Sequence, residues 1–226
     1  PWSIADAFET YGIRDWGKHY FHISDAGHVL VTPPGLEGHS IDLKELVDEV
    51  RQRGVGLPLL LRFSDILRSR IDELNQAFQQ AIREYGYQGV YRGVYPIKVN
   101  QEHKVVEELV RFGRVYHHGL EAGSKPELLA VVAMTTNDTP IICNGFKDAE
   151  FIEMAMLAHK MGRRIIPVVE KYTELRLILE YAQKVGVRPH IGMRVKLASR
   201  GGGRWQSSGG YRSKFGLTVG EVRQAL

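Results

Sequence analysis

Apolar and polar positions change rhythm along this chain. Through residue 58 the pattern is irregular. His19-Tyr20-Phe21-His22-Ile23-Ser24 and Val29-Leu30-Val31 read as short strands around a turn at Asp25-Ala26-Gly27, and Pro33-Pro34-Gly35 interrupts the chain. Leu43, Leu46, Val47 and Val50 then recur at helical spacing, with Gly54 as the stop. From residue 59 onward, short apolar runs alternate with amphipathic helices. The runs are Leu59-Leu60-Leu61, Val94-Tyr95-Pro96-Ile97, Val115-Tyr116, Ile141-Ile142-Cys143, Ile165 to Val169, and Ile191-Gly192-Met193. After the first, they begin at residues 94, 115, 141, 165 and 191, which are spacings of 21, 26, 24 and 26.

The intervening helices carry their own punctuation. Ser64 opens a helix whose apolar face is Leu67, Ile71, Leu74, Phe78 and Ala81. Ser124-Lys125-Pro126-Glu127 has capping-box spacing with Pro in the first turn. Thr173 and Thr218 open further helices, and Gly162 and Gly186 close two. Strand and helix alternating at this period predict a parallel sheet, because parallel strands need crossover helices. An open doubly wound sheet and a closed (β/α)8 barrel compete. A doubly wound nucleotide binder needs glycines at its first strand–helix turn. Arg62-Phe63-Ser64-Asp65 offers none, and this favours the barrel. The division expected is an N-terminal segment, 1–58, and a barrel segment, 59–226, holding about six of the eight strand–helix units.

Composition narrows the class. The 226 residues are 43% apolar and 25% charged, which suits a packed globular core and excludes collagen-like, disordered and disulfide-scaffold chains. A net charge of +4 is too small to mark a nucleic-acid surface. The first-segment aromatics are not interleaved with basic residues, so they read as core rather than as a base-stacking platform. A single cysteine, Cys143, forbids an intrachain disulfide and makes a reduced, cytoplasmic setting the default. No apolar run reaches the ~20 residues of a membrane helix. Pro1-Trp2-Ser3-Ile4-Ala5-Asp6 is not a signal peptide, and it lacks an initiator Met. Adjacent His117-His118 is poor spacing for one metal.

Barrel chemistry gathers where strands end. The first polar residues after the runs are Arg62, Lys98, Glu121, Asn144, Glu170 and Arg194. Lys98 is the most informative. Desolvated in an apolar strand, its amine is a nucleophile able to form a Schiff base. At a strand end that reaches solvent, it is simply a surface lysine. Glu121 has a bland reading as a carboxylate near a helix N-terminus, and Arg194 as the partner of Glu170. Ser199 to Gly210 lacks the ending of a P-loop. It reads as a mobile active-site loop or as plain surface.

At these residues the chain resembles a known family. Tyr91 to Gln101, around Lys98, resembles the pyridoxal-phosphate lysine segment of biosynthetic arginine decarboxylases. Gly119 to Lys125, Ile142 to Asp148, Leu197-Ala198-Ser199, Trp205 to Gly210 and Ser213 to Leu217 follow in the same order. Tyr11-Gly12-Ile13, Trp16-Gly17 and Tyr20-Phe21 fit as well. The resemblance implies an alanine-racemase-like barrel, with the N-terminal strands contributing to a β domain. It implies decarboxylation of L-arginine to agmatine in polyamine and spermidine biosynthesis, with pyridoxal phosphate and magnesium. Lys98 would be catalytic, holding the cofactor as an internal aldimine, and Glu121, Asn144 and Arg194 would lie beside the cofactor. A cytoplasmic homo-oligomer, dimer or tetramer, is implied, with no nucleic-acid or membrane partner.

Two alternatives stay open. One keeps the fold and changes the substrate to ornithine, lysine or diaminopimelate. The other is a non-catalytic barrel homologue. With about six of eight units present, the expectation is a fragment of a longer enzyme with little activity alone.

Overall fold

The computed structural model describes residues 2–35, 38–197, 210 and 213–226. They form two compact units, Pro1–Gln76 and Ala77–Leu226. The sequence pattern drew its line earlier, after residue 58.

The first unit opens with helices α1, Ile4–Thr10, and α2, Ile13–Gly17. Neither stands out in an irregular pattern, yet Ser3 and Asp6 form a capping box that starts α1. Strands β1, Phe21–Ile23, β2, Val29–Val31, and β3, Ile41–Asp42, pair antiparallel in that order. Phe21 faces Val31 and Ile23 faces Val29, and Gly27 takes φ 79° in the turn between them. Asp42 then caps α3, Leu43–Gln52, by accepting the backbone N–H of Lys44 and Glu45. The aromatics of this unit depart from expectation. Tyr20 is buried and its hydroxyl donates to Glu73 at 2.7 Å, but Trp2, Tyr11 and Trp16 are exposed, the first two at 68%.

Helix α4, Ser64–Glu84, carries residues of both units. Its expected apolar face is buried at Ile71, while Leu74 and Phe78 stay exposed, Phe78 stacked on Tyr91 at 3.7 Å.

The second unit is α/β. Strands β4, Val94–Pro96, β5, Gly119–Ala122, β6, Pro140–Cys143, β7, Arg164–Val169, and β8, Gly192–Met193, make a parallel sheet in sequence order. A doubly wound sheet would reverse its strand order, and this one does not. A parallel bridge between Val195 and Leu217 continues the progression beyond β8. The crossovers are α5, His103–Gly113, α6, Lys125–Met134, α7, Ala149–Lys160, and α8, Tyr172–Val185, and α9, Val219–Ala225, follows the bridge.

Two expected strands are corrected. Leu59-Leu60-Leu61 forms none, and Leu60 is 76% exposed, since an isolated apolar triplet finds no strand to pair with. Val115-Tyr116 lies in a 3-10 turn, and β5 begins later, at Gly119. The β-branched and aromatic pair mimics a strand, whereas Gly-Leu-Glu-Ala has weak intrinsic strand preference and is recruited by its neighbours.

Caps behave largely as read. Ser124 accepts the N–H of Glu127, although the Glu127 carboxylate reaches back to Gly123 rather than to Ser124. Asp148 caps α7, its carboxyl held below the usual range chiefly by a hydrogen bond from Lys125. The core lies between sheet and helices: Ile141, Cys143, Ile165 and Val169 from the strands, Phe151, Ile152, Met156 and Ile178 from α7 and α8. Among the described residues no helix is long and apolar enough to cross a membrane.

Candidate active site at the carboxyl ends of the strands

Parallel strands deliver their last side chains to one edge of a sheet, so residues just past β4 to β8 are gathered by topology. Pro96 ends β4, and having no N–H it cannot extend the ladder. The chain enters a 3-10 turn, Ile97–Val99, in which Ile97 is buried and Lys98 points out. Lys98 Nζ stands 3.5 Å from Glu121 Oε1, and the lysine side chain is 66% exposed. Of the two readings of Lys98, the strand-end lysine that reaches solvent is the one observed, because the strand stops before it. Asn144 Nδ2 donates to Glu121 Oε2 at 3.0 Å, so one carboxylate joins the amine and the amide.

Glu170 follows β7 directly and is buried, its side chain 1% exposed. Its Oε1 accepts the N–H of Gly145 at 2.9 Å and lies 3.4 Å from Arg194 Nη1. Among the described residues, Glu170 Oε2 is the buried side-chain oxygen left without a hydrogen-bond partner. Gly145 adopts φ 77°, and a Cβ there would come within 2.8 Å of the Gly123 carbonyl, so the loop after β6 requires glycine. The Arg194 guanidinium lies over the Phe215 ring, 5.2 Å from its centroid, and Phe215 leans on Phe146 at 4.6 Å.

Lys98, Glu121, Asn144, Glu170, Arg194 and Phe215 line one cleft of about 290 Å³. Arg62 belongs to the other unit. Cys143 ends β6 fully buried, and burial pushes its thiol up to about 12, which makes it inert. Two charged residues escaped the sequence reading: Lys147 and Glu174, an ion pair at 3.1 Å with side chains 0% and 3% exposed. Lys147 sits in the segment Asn144 to Asp148, but nothing in that segment marks it as buried. The expected active-site loop, with Leu197-Ala198-Ser199 and Trp205 to Gly210, falls outside the described residues apart from Leu197 and Gly210.

Residues 70–226 match the family model for the pyridoxal-dependent decarboxylases, pyridoxal binding domain. This chain belongs to that family.

The biosynthetic arginine decarboxylase of Rhodopirellula baltica is 59% identical over 225 residues, taking in 100% of this chain and 34% of that protein. That of Gloeobacter violaceus is 54% identical over 228 residues, with 100% of this chain and 35% of that protein. The crystal structure of the biosynthetic arginine decarboxylase from Campylobacter jejuni superposes with a TM-score of 0.83 at 37% identity, covering 95% of this chain and 34% of that one. A protein from Aquifex aeolicus, 22% identical with a TM-score of 0.60 over 92% of this chain and 40% of that one, shares the fold. The chain spans about a third of the length of the curated relatives it matches.

The cleft suits this decarboxylase family's cofactor on its own chemistry. A carbonyl-bearing group needs an accessible primary amine, and Lys98 offers one beside a carboxylate. Arg194 and Asn144 bring donors, and Glu170 Oε2 is an acceptor without a donor. Magnesium has no such support. Among the described residues no three His, Cys, Asp or Glu side chains gather as a metal site.

Proposed function

We propose that this chain is the cofactor-lysine part of an enzyme that decarboxylates L-arginine to agmatine and carbon dioxide. Pyridoxal phosphate would be held on Lys98, with Glu121, Asn144 and Arg194 beside it. The observation that carries the reading is the cluster of Lys98, Glu121 and Asn144 at the strand ends of a sheet belonging to the pyridoxal-binding family. Arginine is chosen because relatives at 59% and 54% identity bear the name biosynthetic arginine decarboxylase.

In this reading Glu121 orients the Lys98 amine and exchanges a proton with Nζ, and Asn144 fixes which way the carboxylate faces. Arg194, restrained by Glu170 and Phe215, supplies a guanidinium donor. When bound, pyridoxal phosphate supplies the electron sink for the pair left behind as carbon dioxide departs. The five parallel strands are successive members of a (β/α)8 barrel, and residues 1–58 contribute strands to a β domain. The whole enzyme is a cytoplasmic homo-oligomer of polyamine and spermidine biosynthesis.

The test is carbon dioxide release by a full-length protein carrying residues 1–226, with arginine, ornithine, lysine and diaminopimelate compared. Arginine is expected to lead in kcat/KM by at least about 100-fold, below the ~10⁴-fold by which a site that hydrogen-bonds a substrate group rejects an analogue lacking it. Turnover led by another of the four, or none with any, overturns the assignment.

A further inference from the structure

Lys147 and Glu174 lie behind the cleft rather than in it. Glu174 is the third residue of α8, where a carboxylate that caps the helix is commonplace, and its Oε2 does face the Lys171 N–H at 3.4 Å. Capping leaves most of its contacts unexplained. Glu174 Oε2 also accepts the backbone N–H of Glu170 at 2.8 Å, and Oε1 accepts that of Lys147 at 2.9 Å. Lys147 Nζ in turn donates to the Gly145 carbonyl at 2.5 Å. The pair thus clamps the loop after β6 to the loop after β7.

The Glu174 carboxylate satisfies two buried backbone N–H groups, but stability does not demand that it also be paired with a buried lysine. A buried ion pair is costly to desolvate, and apolar side chains of similar volume often serve as well. What the pair does supply is geometry. The Glu170 side chain is fixed through Oε1 alone, since Oε2 has no partner, so its place depends on where its backbone and the Gly145 N–H are held. Both are held by Glu174 and Lys147. Glu170 then sets Arg194.

We infer that Lys147 and Glu174 are positioning residues of the cofactor cleft, acting through Gly145 and Glu170 on Arg194. The inference rests on the decarboxylase reading for what the cleft binds, but not for the clamp itself.

The test uses a full-length protein carrying residues 1–226. It compares the parent with the double variant Lys147→Met/Glu174→Leu, which removes both charges, and with Glu174→Gln, which keeps the shape. Three quantities are read: melting temperature, the dissociation constant of pyridoxal phosphate by absorbance titration, and hydrogen exchange of the Gly145 amide. The double variant is expected to melt below the parent, because the Glu170 and Lys147 N–H groups lose their acceptor. Its cofactor dissociation constant should rise about tenfold or more, the scale on which losing an outer-shell partner weakens a bound group. Gly145 exchange should speed up, and KM for the amino acid should rise more than kcat falls. Glu174→Gln should shift each quantity the same way by less, and it decides the matter if the double variant does not fold. Cofactor affinity within twofold of the parent, with Gly145 exchange unchanged, overturns the inference. If the parent itself takes up no pyridoxal phosphate, the decarboxylase reading fails, and Gly145 exchange still decides whether the clamp exists.

Discussion

The two units spend their hydrophobic residues differently. The second buries a continuous set, from Ile97 through Ile141, Phe151 and Ile165 to Leu217, between a parallel sheet and its crossover helices. The first has a small antiparallel sheet, with Ile13, Tyr20, Val31 and Ile71 as its buried hydrophobics, and leaves Trp2, Tyr11 and Trp16 in the open. The difference concerns what each can hold in place. Parallel strands locked on a dry core present a rigid edge, and that edge carries Lys98, Glu121, Asn144, Glu170 and Arg194. A three-stranded antiparallel sheet with one short turn presents no comparable edge.

Truncating a large side chain in each unit tests that contrast most strongly. Phe151→Ala should cost about 3–5 kcal/mol, because a fully buried ring leaves a cavity. Trp2→Ala, at a site 68% exposed, should cost about 0.5 kcal/mol or less. Urea unfolding measures both. Equal losses would mean that the first unit depends on its exposed aromatics and that the contrast is wrong.

Glycine replacement probes the same difference at smaller scale. Gly145 and Gly27 have similar backbones, φ 77° and 79°, but a Cβ at Gly145 meets the Gly123 carbonyl at 2.8 Å and at Gly27 meets nothing. Gly27→Ala should therefore cost only the left-handed penalty, about 1–2 kcal/mol. Gly145→Ala should cost more and should also displace the N–H that Glu170 accepts. Calorimetric melting of the two variants ranks them. A cheaper change at Gly145 would mean that the loop after β6 yields easily.

Much of the second unit was legible because its strands and caps are locally consistent. Ile141-Ile142 and Ile165-Ile166 are β-branched runs, and Ser124 with Pro126 signals a helix start unaided. Reading the first polar residue after each run was enough to collect Lys98, Asn144, Glu170 and Arg194, because parallel topology turns a one-dimensional position into a shared edge. The same reading took Leu59-Leu60-Leu61 before Arg62 for a strand, and that run forms none.

What stayed hidden depended on contacts between distant segments. β5 is drawn into the sheet by β4 and β6, not by its own residues. Helix α1 announces itself only through the Ser3–Asp6 spacing. Lys147 looks like a surface lysine between Phe146 and Asp148 until α8 brings Glu174 against it. The solvent exposure of Lys98 was one of the two readings its strand-end position allowed, and the chain leaving the sheet at Pro96 decides for it.

The most direct measurement is borohydride reduction of a full-length protein carrying residues 1–226 in the presence of pyridoxal phosphate, followed by peptide mapping. The account predicts one reduced label, on the peptide containing Lys98, that disappears in Lys98→Ala. A label on another lysine, or no label at all, would contradict it.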